Sequence, residues 1–158
     1  MGDVSVETEI GAPAEAVYDL VADMPRMGEW SPECERVEWT HGATGAAVGA
    51  RFVGHNRIGW RHWSTHGVVT AADRGREFAF EVRSVFGLPV ARWGYRFEAT
   101  TDGRCRVVES TEDRRGRLMK VLGTLATGVG DRAARNRETM TKTLEKLRAM
   151  AEGASHRP

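Results

Sequence analysis

Apolar and polar residues alternate at the start of the chain. Over residues 4–10, valine and isoleucine are separated by serine, threonine and glutamate, which is the period-two pattern of a half-buried β-strand. Pro13 then favours the first position of a helix, because the N–H that proline lacks would have no partner there. Apolar residues at helical spacing continue to Pro25, which ends or kinks this helix. We expect a second short helical turn before Trp30.

A long β-rich stretch follows this helical region. Its candidate strands are separated by short connections rich in glycine, aspartate and proline, and such connections favour antiparallel hairpins. On two of the strands one face is aromatic and the other is charged, which is typical of a sheet with one covered face. The candidate strands are residues 35–40, 50–57, 61–71, 76–85, 91–100 and 104–112.

A long helix is predicted at the end of the chain. Between Val129 and Ala151, apolar residues recur at steps of three and four and mark one helical face. A single helix is narrower than a seven-stranded sheet, so it leaves a space beside the aromatic face, and such spaces are typical small-molecule sites. The apolar patch between Gly116 and Gly128, just before this helix, is either a separate helical piece or a lid.

The composition is that of a globular protein. The 158 residues are 41% hydrophobic and 28% charged, and no apolar run approaches the ~18–20 residues of a membrane span. The chain opens without the basic and apolar blocks of a cleaved signal. We therefore expect a cytoplasmic location, with Cys34 and Cys105 reduced. We also expect a single domain over residues 1–158, with an ordered core over about residues 3–152, as a monomer or a homodimer.

Charge is distributed unevenly along the chain. Residues 1–50 hold ten acidic and two basic residues, a net charge of −8, whereas residues 113–148 hold four acidic and ten basic residues, a net charge of +6. A basic region can contact nucleic acid or an acidic surface. No aromatic residues interleave this one, so we expect no nucleic-acid partner. A solvated bipolar surface and a protein-interaction module that engages an acidic partner both stay open.

Three motifs of the chain resemble those of one known superfamily. They are Ile10-x-Ala12-Pro13-x-x-x-Val17-Tyr18-x-x-Val21-x-Asp23 followed by Trp30-Ser31-Pro32, then Gly49-x-Arg51-Phe52, and Arg76-x-Phe78-x-Phe80. In these stretches the sequence is similar to START-related helix-grip proteins. The resemblance is to the polyketide cyclase/dehydrase and lipid-transport branch of the birch-pollen-allergen (SRPBCC) superfamily.

The resemblance implies an α+β helix-grip fold. In this fold a seven-stranded, curved antiparallel sheet wraps around a long C-terminal helix, and two short helices follow the first strand. The resemblance also implies a hydrophobic cavity between sheet and helix, with no obligatory metal ion and no cofactor. Members of the superfamily include polyketide aromatase/cyclases, lipid and sterol carriers and quinone-binding proteins. No catalytic residue carries over to this chain, so fold analogy does not settle its function.

The histidine spacing does not favour a metal site. His62 and His66 are four positions apart, but their context is a strand, on which they would lie ~13 Å apart. That distance is too long for two ligands of one metal ion, so we expect no metal. The hairpin that precedes them, turning near Gly59, would place Arg57 near Arg61.

Four polar residues are the catalytic candidates. A histidine or arginine that faces the cavity, such as His55, Arg57 or His66, can polarise a carbonyl group or take a proton from an adjacent carbon. The alternative is that these residues face water, because alternation turns half of a strand's side chains outward. Glu109 is either a buried carboxylate with a raised pKa or a solvated one, and the pattern favours neither.

The ligand-binding candidates are mainly aromatic. Rigid aromatic side chains suit a planar or polycyclic apolar ligand, although core packing alone would explain each of them. The leading hypothesis is the binding, with transport as an extension, of a hydrophobic small molecule such as a lipid, a polyketide or an aromatic compound. The alternative is a cofactor-independent polyketide cyclase, aromatase or dehydratase that uses His, Arg or Glu groups of the cavity. The candidates are Trp63, Phe80, Trp93, Tyr95, Phe97, Asn136 and Met140.

Overall fold

Seven strands and four helices make up the part of the chain that the computed structural model describes, residues 4–154. The ends of the expected domain, residues 1–3 and 155–158, lie outside the described residues. The strands are β1 (Val4–Ile10), β2 (Cys34–Thr40), β3 (Arg51–Ile58), β4 (Arg61–Asp73), β5 (Glu77–Arg83), β6 (Pro89–Ala99) and β7 (Cys105–Asp113). The helices are α1 (Ala14–Ala22), a 3-10 helix (Met24–Glu29), α2 (Arg117–Thr127) and α3 (Arg132–Ala154). The helix-grip fold and its antiparallel sheet are thus confirmed.

The strands form one antiparallel sheet in the order β1-β7-β6-β5-β4-β3-β2. Strands β2 to β7 follow one another as consecutive hairpins, and β1 joins beside β7. As a result, β1 and β2 are the two edges of the sheet, although only α1 and the 3-10 helix separate them in sequence. The register shifts between Val69 and Ala71 and between Val82 and Arg83. Irregularities of this kind bend strands, and here they lie in the middle of the sheet.

The C-terminal half of α3 packs tightly against the sheet. Leu144, Leu147 and Ala151 are buried there, where α3 contacts β1, β7 and α1. The side chain of Glu152 also accepts a hydrogen bond from the backbone N–H of Gly11, at 3.0 Å. The apolar face predicted for this helix therefore closes one end of the molecule.

Aromatic rings line the covered face of the sheet in edge-to-face contact. Phe52 contacts Phe80 with ring centroids 5.5 Å apart, and Tyr18 contacts Phe97 at 5.6 Å. The ring of Phe52 lies directly over Gly67, where a Cβ atom would come within 2.1 Å of its Cζ. Only a residue without a side chain allows this close approach.

The apolar patch before α3 is a separate helix, α2, which was one of the two expected outcomes. None of its residues, all of which the structure describes, is buried. The helix ends at Gly128, whose φ of 75° is left-handed and whose N–H donates to the carbonyl of Thr124 at 2.8 Å. No helix within residues 4–154 is both long and apolar enough to cross a membrane.

Candidate functional site

A cavity of about 360 Å³ lies between the covered face of the sheet and the N-terminal half of α3. Its walls are mostly apolar and rich in aromatic rings. They come from β2 to β7, from the 3-10 helix and from α2 and α3. The aromatic residues of the wall include Trp30, Phe52, Trp63, Phe80 and Trp93.

A buried pair of polar side chains forms part of this wall. Tyr95 on β6 lies opposite Glu109 on β7, and its hydroxyl donates a hydrogen bond to Oε1 of Glu109 at 2.8 Å. Both side chains are buried. The second carboxyl oxygen of Glu109, Oε2, has no hydrogen-bond partner among the described residues. A buried oxygen without a partner is rare in folded proteins, and it marks the point where a polar group of a ligand would be stabilised.

Burial controls the protonation of this pair. It raises the pKa of Glu109 to about 8, and it outweighs the hydrogen bond from Tyr95, which acts in the opposite direction. Burial, followed by the negative charge of the neighbouring carboxylate, also raises the pKa of Tyr95 well above its ordinary value. At neutral pH both groups are therefore protonated. Because the tyrosine hydroxyl donates to Oε1, the unpartnered Oε2 is the oxygen that would carry the carboxyl proton.

Helix α3 contributes further polar groups to the wall. Thr139 donates its hydroxyl to the carbonyl of Asn136 at 3.1 Å, and Thr143 donates to the carbonyl of Thr139 at 2.9 Å. The hydroxyl protons are thus used within the helix, and only their oxygen lone pairs face outward as acceptors. The side-chain amide of Asn136 and the flexible side chain of Met140 complete this part of the wall.

An ion-pair cluster ties the start of β2 to the first turn of α3. The carboxylate of Glu33 accepts hydrogen bonds from the guanidinium of Arg132 at 2.7 and 3.2 Å and from Arg135 at 3.1 Å. Glu33 and Arg132 also line the cavity. Cys34 follows in the wall, and burial raises the pKa of its thiol to about 12, so it is not a thiolate nucleophile at neutral pH.

The cavity reaches the surface beside α2. Val85 and Phe86, in the turn between β5 and β6, line it from one side, and Met119 and Leu122 of α2 line it from the other. Phe86 is 87% exposed. Apolar side chains therefore surround the mouth as well as the interior.

Most of the predicted ligand-binding residues meet at this cavity. Phe97 is the exception, since it packs beside Tyr18 in the core and does not line the cavity. The predicted residues that line the wall are Trp63, Phe80, Trp93, Tyr95, Asn136 and Met140.

Only one of the four catalytic candidates lines the cavity, and it is Glu109. His55 instead bonds Glu38 and Ser64, at 3.1 Å each, and Arg57 lies 3.5 Å from Glu35. The imidazole of His66 is exposed. These three face away from the cavity.

The predicted register of the hairpin was wrong by one residue. Arg57 pairs with His62 and not with Arg61, because the turn is centred between Ile58 and Arg61.

Within residues 4–154, no group of three or more histidine, cysteine or acidic side chains is placed to hold a metal ion.

Sequence reasoning missed several residues of the wall. Trp30 was expected near a turn, yet it is 1% exposed and lines the cavity. The contributions of Glu33 and Arg132 depend on two segments 99 positions apart, which a local pattern cannot join. The only indication in the sequence that these two segments make contact was their opposite net charge, since Glu33 lies in the acidic part of the chain and Arg132 in the basic part.

The sheet, the long helix and the cavity between them together define a helix-grip protein. The chain belongs to the family described as polyketide cyclase / dehydrase and lipid transport, whose model matches residues 1–152. No curated protein matches the chain at a significant level.

Several solved structures share the fold. The polyketide-cyclase-like protein Cgl2372 from Corynebacterium glutamicum is 26% identical, with a TM-score of 0.64, over 97% of this chain and 93% of that one. The di-domain aromatase/cyclase StfQ from the steffimycin biosynthetic pathway is 16% identical, with a TM-score of 0.70. The match covers 98% of this chain but 46% of StfQ, so this chain spans about half of that protein. The major latex-like protein 151 from Panax ginseng is 13% identical, with a TM-score of 0.70, over 94% and 95% of the two chains.

Proposed function

We propose that this protein binds a hydrophobic, largely planar small molecule in its cavity, with an oxygen atom of the ligand hydrogen-bonded to Glu109. The observation that carries the proposal is an aromatic-walled cavity of about 360 Å³ whose buried carboxyl has one unpartnered oxygen. Cavities of roughly 300–1,000 Å³ with apolar walls and few polar groups are typical ligand sites. A protonated carboxyl donates a hydrogen bond, so a carbonyl oxygen is the group that it would select.

The family supports this proposal in general terms. Its description names both polyketide cyclisation or dehydration and lipid transport, and each would require an apolar cavity. Polyketides and quinones combine rings with carbonyl groups, and they fit a wall of aromatic side chains with one donor better than a plain hydrocarbon does. Transport of the ligand and a cytoplasmic location stay predictions.

Ligand binding can be tested through the tryptophans of the wall. Titration with an apolar quinone, such as anthraquinone, should quench fluorescence from Trp30, Trp63 and Trp93. Ala91→Leu extends a side chain into the cavity and should weaken binding, whereas Ala99→Leu on the same strand is exposed outside the cavity and should not. Native mass spectrometry would show the complex directly. Equal binding by both variants, or no binding of quinones, fatty acids or polyketide analogues, would contradict the proposal.

A second candidate function is catalysis by the same carboxyl. It is favoured by the buried, protonated state of Glu109, which suits a general acid that works near neutral pH. The carboxyl would give its Oε2 proton to a ketone oxygen while an enol carbon of the same substrate adds to the carbonyl carbon, and the enol O–H proton would return to the carboxylate. In the dehydration that follows, the carboxyl would protonate the new hydroxyl so that the C–O bond breaks and water leaves, and the carboxylate would take the proton of the adjacent carbon.

The two functions are separable with one substitution. Glu109→Gln keeps the shape and a hydrogen-bond donor but cannot transfer a proton, so binding should persist while dehydration of a β-hydroxyketone probe is lost. Tyr95→Phe is the matched variant, because it removes the hydrogen bond to Oε1 and leaves the acid in place. In an enzyme of this kind the rate should fall as pH rises through about 8. No turnover by the wild-type protein would leave ligand binding as the function.

A further inference from the structure

Large apolar side chains are exposed around the mouth of the cavity. They come from α2 and from two hairpin turns, and each is between 48% and 87% exposed. We name this set the mouth rim, and it consists of Trp60, Phe86, Leu118, Val121, Leu122 and Leu125.

Contacts join the three segments of the mouth rim into one surface. Phe86 and Leu122 line the same cavity from opposite sides of its mouth. Arg61 connects the other hairpin, because its guanidinium lies 4.7 Å from the ring centroid of Trp60 and donates to the backbone carbonyl of Leu125. Phe86 and Leu122 therefore border the opening, and the contacts of Arg61 hold Trp60 beside α2.

Helix α2 presents an apolar face that the fold leaves uncovered. Leu118, Val121, Leu122 and Leu125 recur at the spacing of one helical face. A surface helix normally turns such a face toward the core, yet all four side chains are exposed. Exposed apolar patches rimmed by polar groups mark sites of interaction with a protein or a membrane.

Positive charge predominates in the segments around the mouth, although Asp113 also lines the cavity. Residues 51–72, 82–97 and 114–130 contain three, three and four basic residues, respectively, and no acidic residue. Arg114 and Arg115 are paired with acidic side chains. Arg117 and Lys120 of α2 are exposed, and Lys120 lies close enough to Asp113 for its charge to act on that carboxylate. Apolar side chains flanked by exposed cations complement an anionic surface that has an apolar layer beneath it.

We propose that the mouth rim docks on the surface of an anionic lipid bilayer. The apolar face of α2 and the rings of Trp60 and Phe86 would enter the interfacial layer, and Arg117 and Lys120 would contact lipid phosphates. Helices with leucine on one face and lysine or arginine on the other lie in this layer, and tryptophan is enriched there. A protein partner would need a surface complementary in shape to two separate hairpin turns and a helix, whereas a lipid bilayer adapts its surface to them. The surface goes beyond ligand binding, and its test uses no ligand.

Co-sedimentation with lipid vesicles tests the proposal. The protein should bind vesicles of phosphatidylcholine mixed with phosphatidylglycerol, should bind phosphatidylcholine alone much more weakly, and should be released by high salt. Arg117→Gln with Lys120→Gln should reduce partitioning by roughly tenfold or more, since each cation near the surface contributes about a fivefold factor. Arg137→Gln with Lys146→Gln, on exposed positions of α3, is the control and should have little effect.

A second pair of variants tests the apolar contacts. Phe86→Ser should weaken vesicle binding by roughly tenfold. Val48→Ser should not, because Val48 is 69% exposed but precedes β3, at the opposite end of that strand from Trp60. All the substituted side chains are exposed, so unchanged thermal unfolding should confirm that each variant folds. The proposal is overturned if neutral vesicles bind equally well or if the mouth-rim variants bind like wild type. It is also overturned if no vesicle binds while an acidic protein is captured through the same residues.

Discussion

Glu109 concentrates the chemistry of the site in one side chain. Its neighbours on β7, Val107 and Thr111, share its buried face, and its carboxyl is satisfied at only one oxygen. An ionised carboxylate would be strongly destabilised in this position, so the folded protein holds the neutral acid. The neutral state of the buried carboxyl makes Glu109 a hydrogen-bond donor for a ligand. It also makes the stability of the fold sensitive to pH.

The free energy of unfolding should therefore fall as pH rises from about 4.5 to about 8. The pKa of Glu109 is raised from 4.5 to about 8 by folding, so over this range the unfolded chain loses a proton that the folded protein keeps. The free energy of unfolding should change by up to about 1.4 kcal/mol per pH unit between these limits. Below about pH 4.5 and above about pH 8, Glu109 should cause no further change with pH. Urea unfolding of wild type and of Glu109→Gln between these pH values measures it.

The comparison has a clear control. Glu145→Gln replaces an exposed carboxyl on α3 and should leave the wild-type pH dependence unchanged. If the difference between wild type and Glu109→Gln stayed constant across the range, Glu109 would be ionised in the folded protein.

Gly67 is the second residue on which the site depends. A methyl group there would meet the ring of Phe52 within 2.1 Å, and the ring would have to leave its contact with Phe80. Overpacking of this kind costs about 1–3 kcal/mol. Gly67→Ala should lower the free energy of unfolding by that amount in urea titrations. At Gly54, a new Cβ would meet Thr65 Oγ1 at 3.4 Å and Asn56 Nδ2 at 4.0 Å, which are ordinary contacts. An equal loss of stability in Gly54→Ala and Gly67→Ala would contradict the steric explanation.

At the scale of elements, the strands were predictable and the directions of many side chains were not. Alternation located all seven strands because each has one buried face. On β7 both faces carry valine, Val107 inward and Val108 outward, so the pattern could not decide where Glu109 points. In the β3–β4 hairpin, a shift of one residue exchanges the two faces. His55 and His66, which face away from the cavity, were therefore compatible with the sequence as cavity residues.

Helix α2 should be the least protected of the long elements. It has no buried residue among those described, and Arg61 anchors it through the carbonyl of Leu125. Local opening of such an element requires little loss of buried surface. In hydrogen-exchange experiments the amides of α2 should exchange much faster than those of α3 near Met140, Leu144 and Leu147, because the side chains of these three residues are buried.

Substitution of Arg61, which anchors α2, should increase the difference in amide exchange rate between α2 and α3. Arg61→Ala should speed exchange in α2 further, whereas Arg57→Ala, on the other strand of the same hairpin, removes only a surface contact with Glu35. Equal protection of α2 and α3 would show that the helix is held by more than this contact.

At the scale of the whole molecule, α3 packs against the sheet along its C-terminal half and covers the cavity along its N-terminal half. The C-terminal half of α3 is buried against β1 and α1, while its N-terminal half covers the cavity together with the Glu33 ion-pair cluster. The sequence predicted that a space would remain, from the width of one helix against seven strands. It could not predict the mouth, because that depends on α2 and two turns brought together from distant positions.

A ligand should stabilise the whole fold, since the cavity exists only when sheet and helix are assembled. At a free concentration one hundred times its dissociation constant, a ligand should add about 2.7 kcal/mol to the free energy of unfolding. Thermal unfolding at increasing quinone concentrations should show a rising midpoint for wild type and for Ala99→Leu. A midpoint that does not move while fluorescence reports binding would mean that the molecule binds the unfolded chain as well as the folded protein, and so does not require the assembled cavity.

The position of β1 beside β7 also governs the order in which the protein can be assembled. Val4 pairs with Thr111, so the first strand has no neighbour in the sheet until more than one hundred further residues exist. At about 5–20 residues per second, a ribosome would take roughly 5–20 s to make them. The hairpins from β2 to β7 can form one after another during that time. The first strand to be synthesised is thus the last that can enter the sheet, and its docking beside β7 completes the surface on which α3 packs.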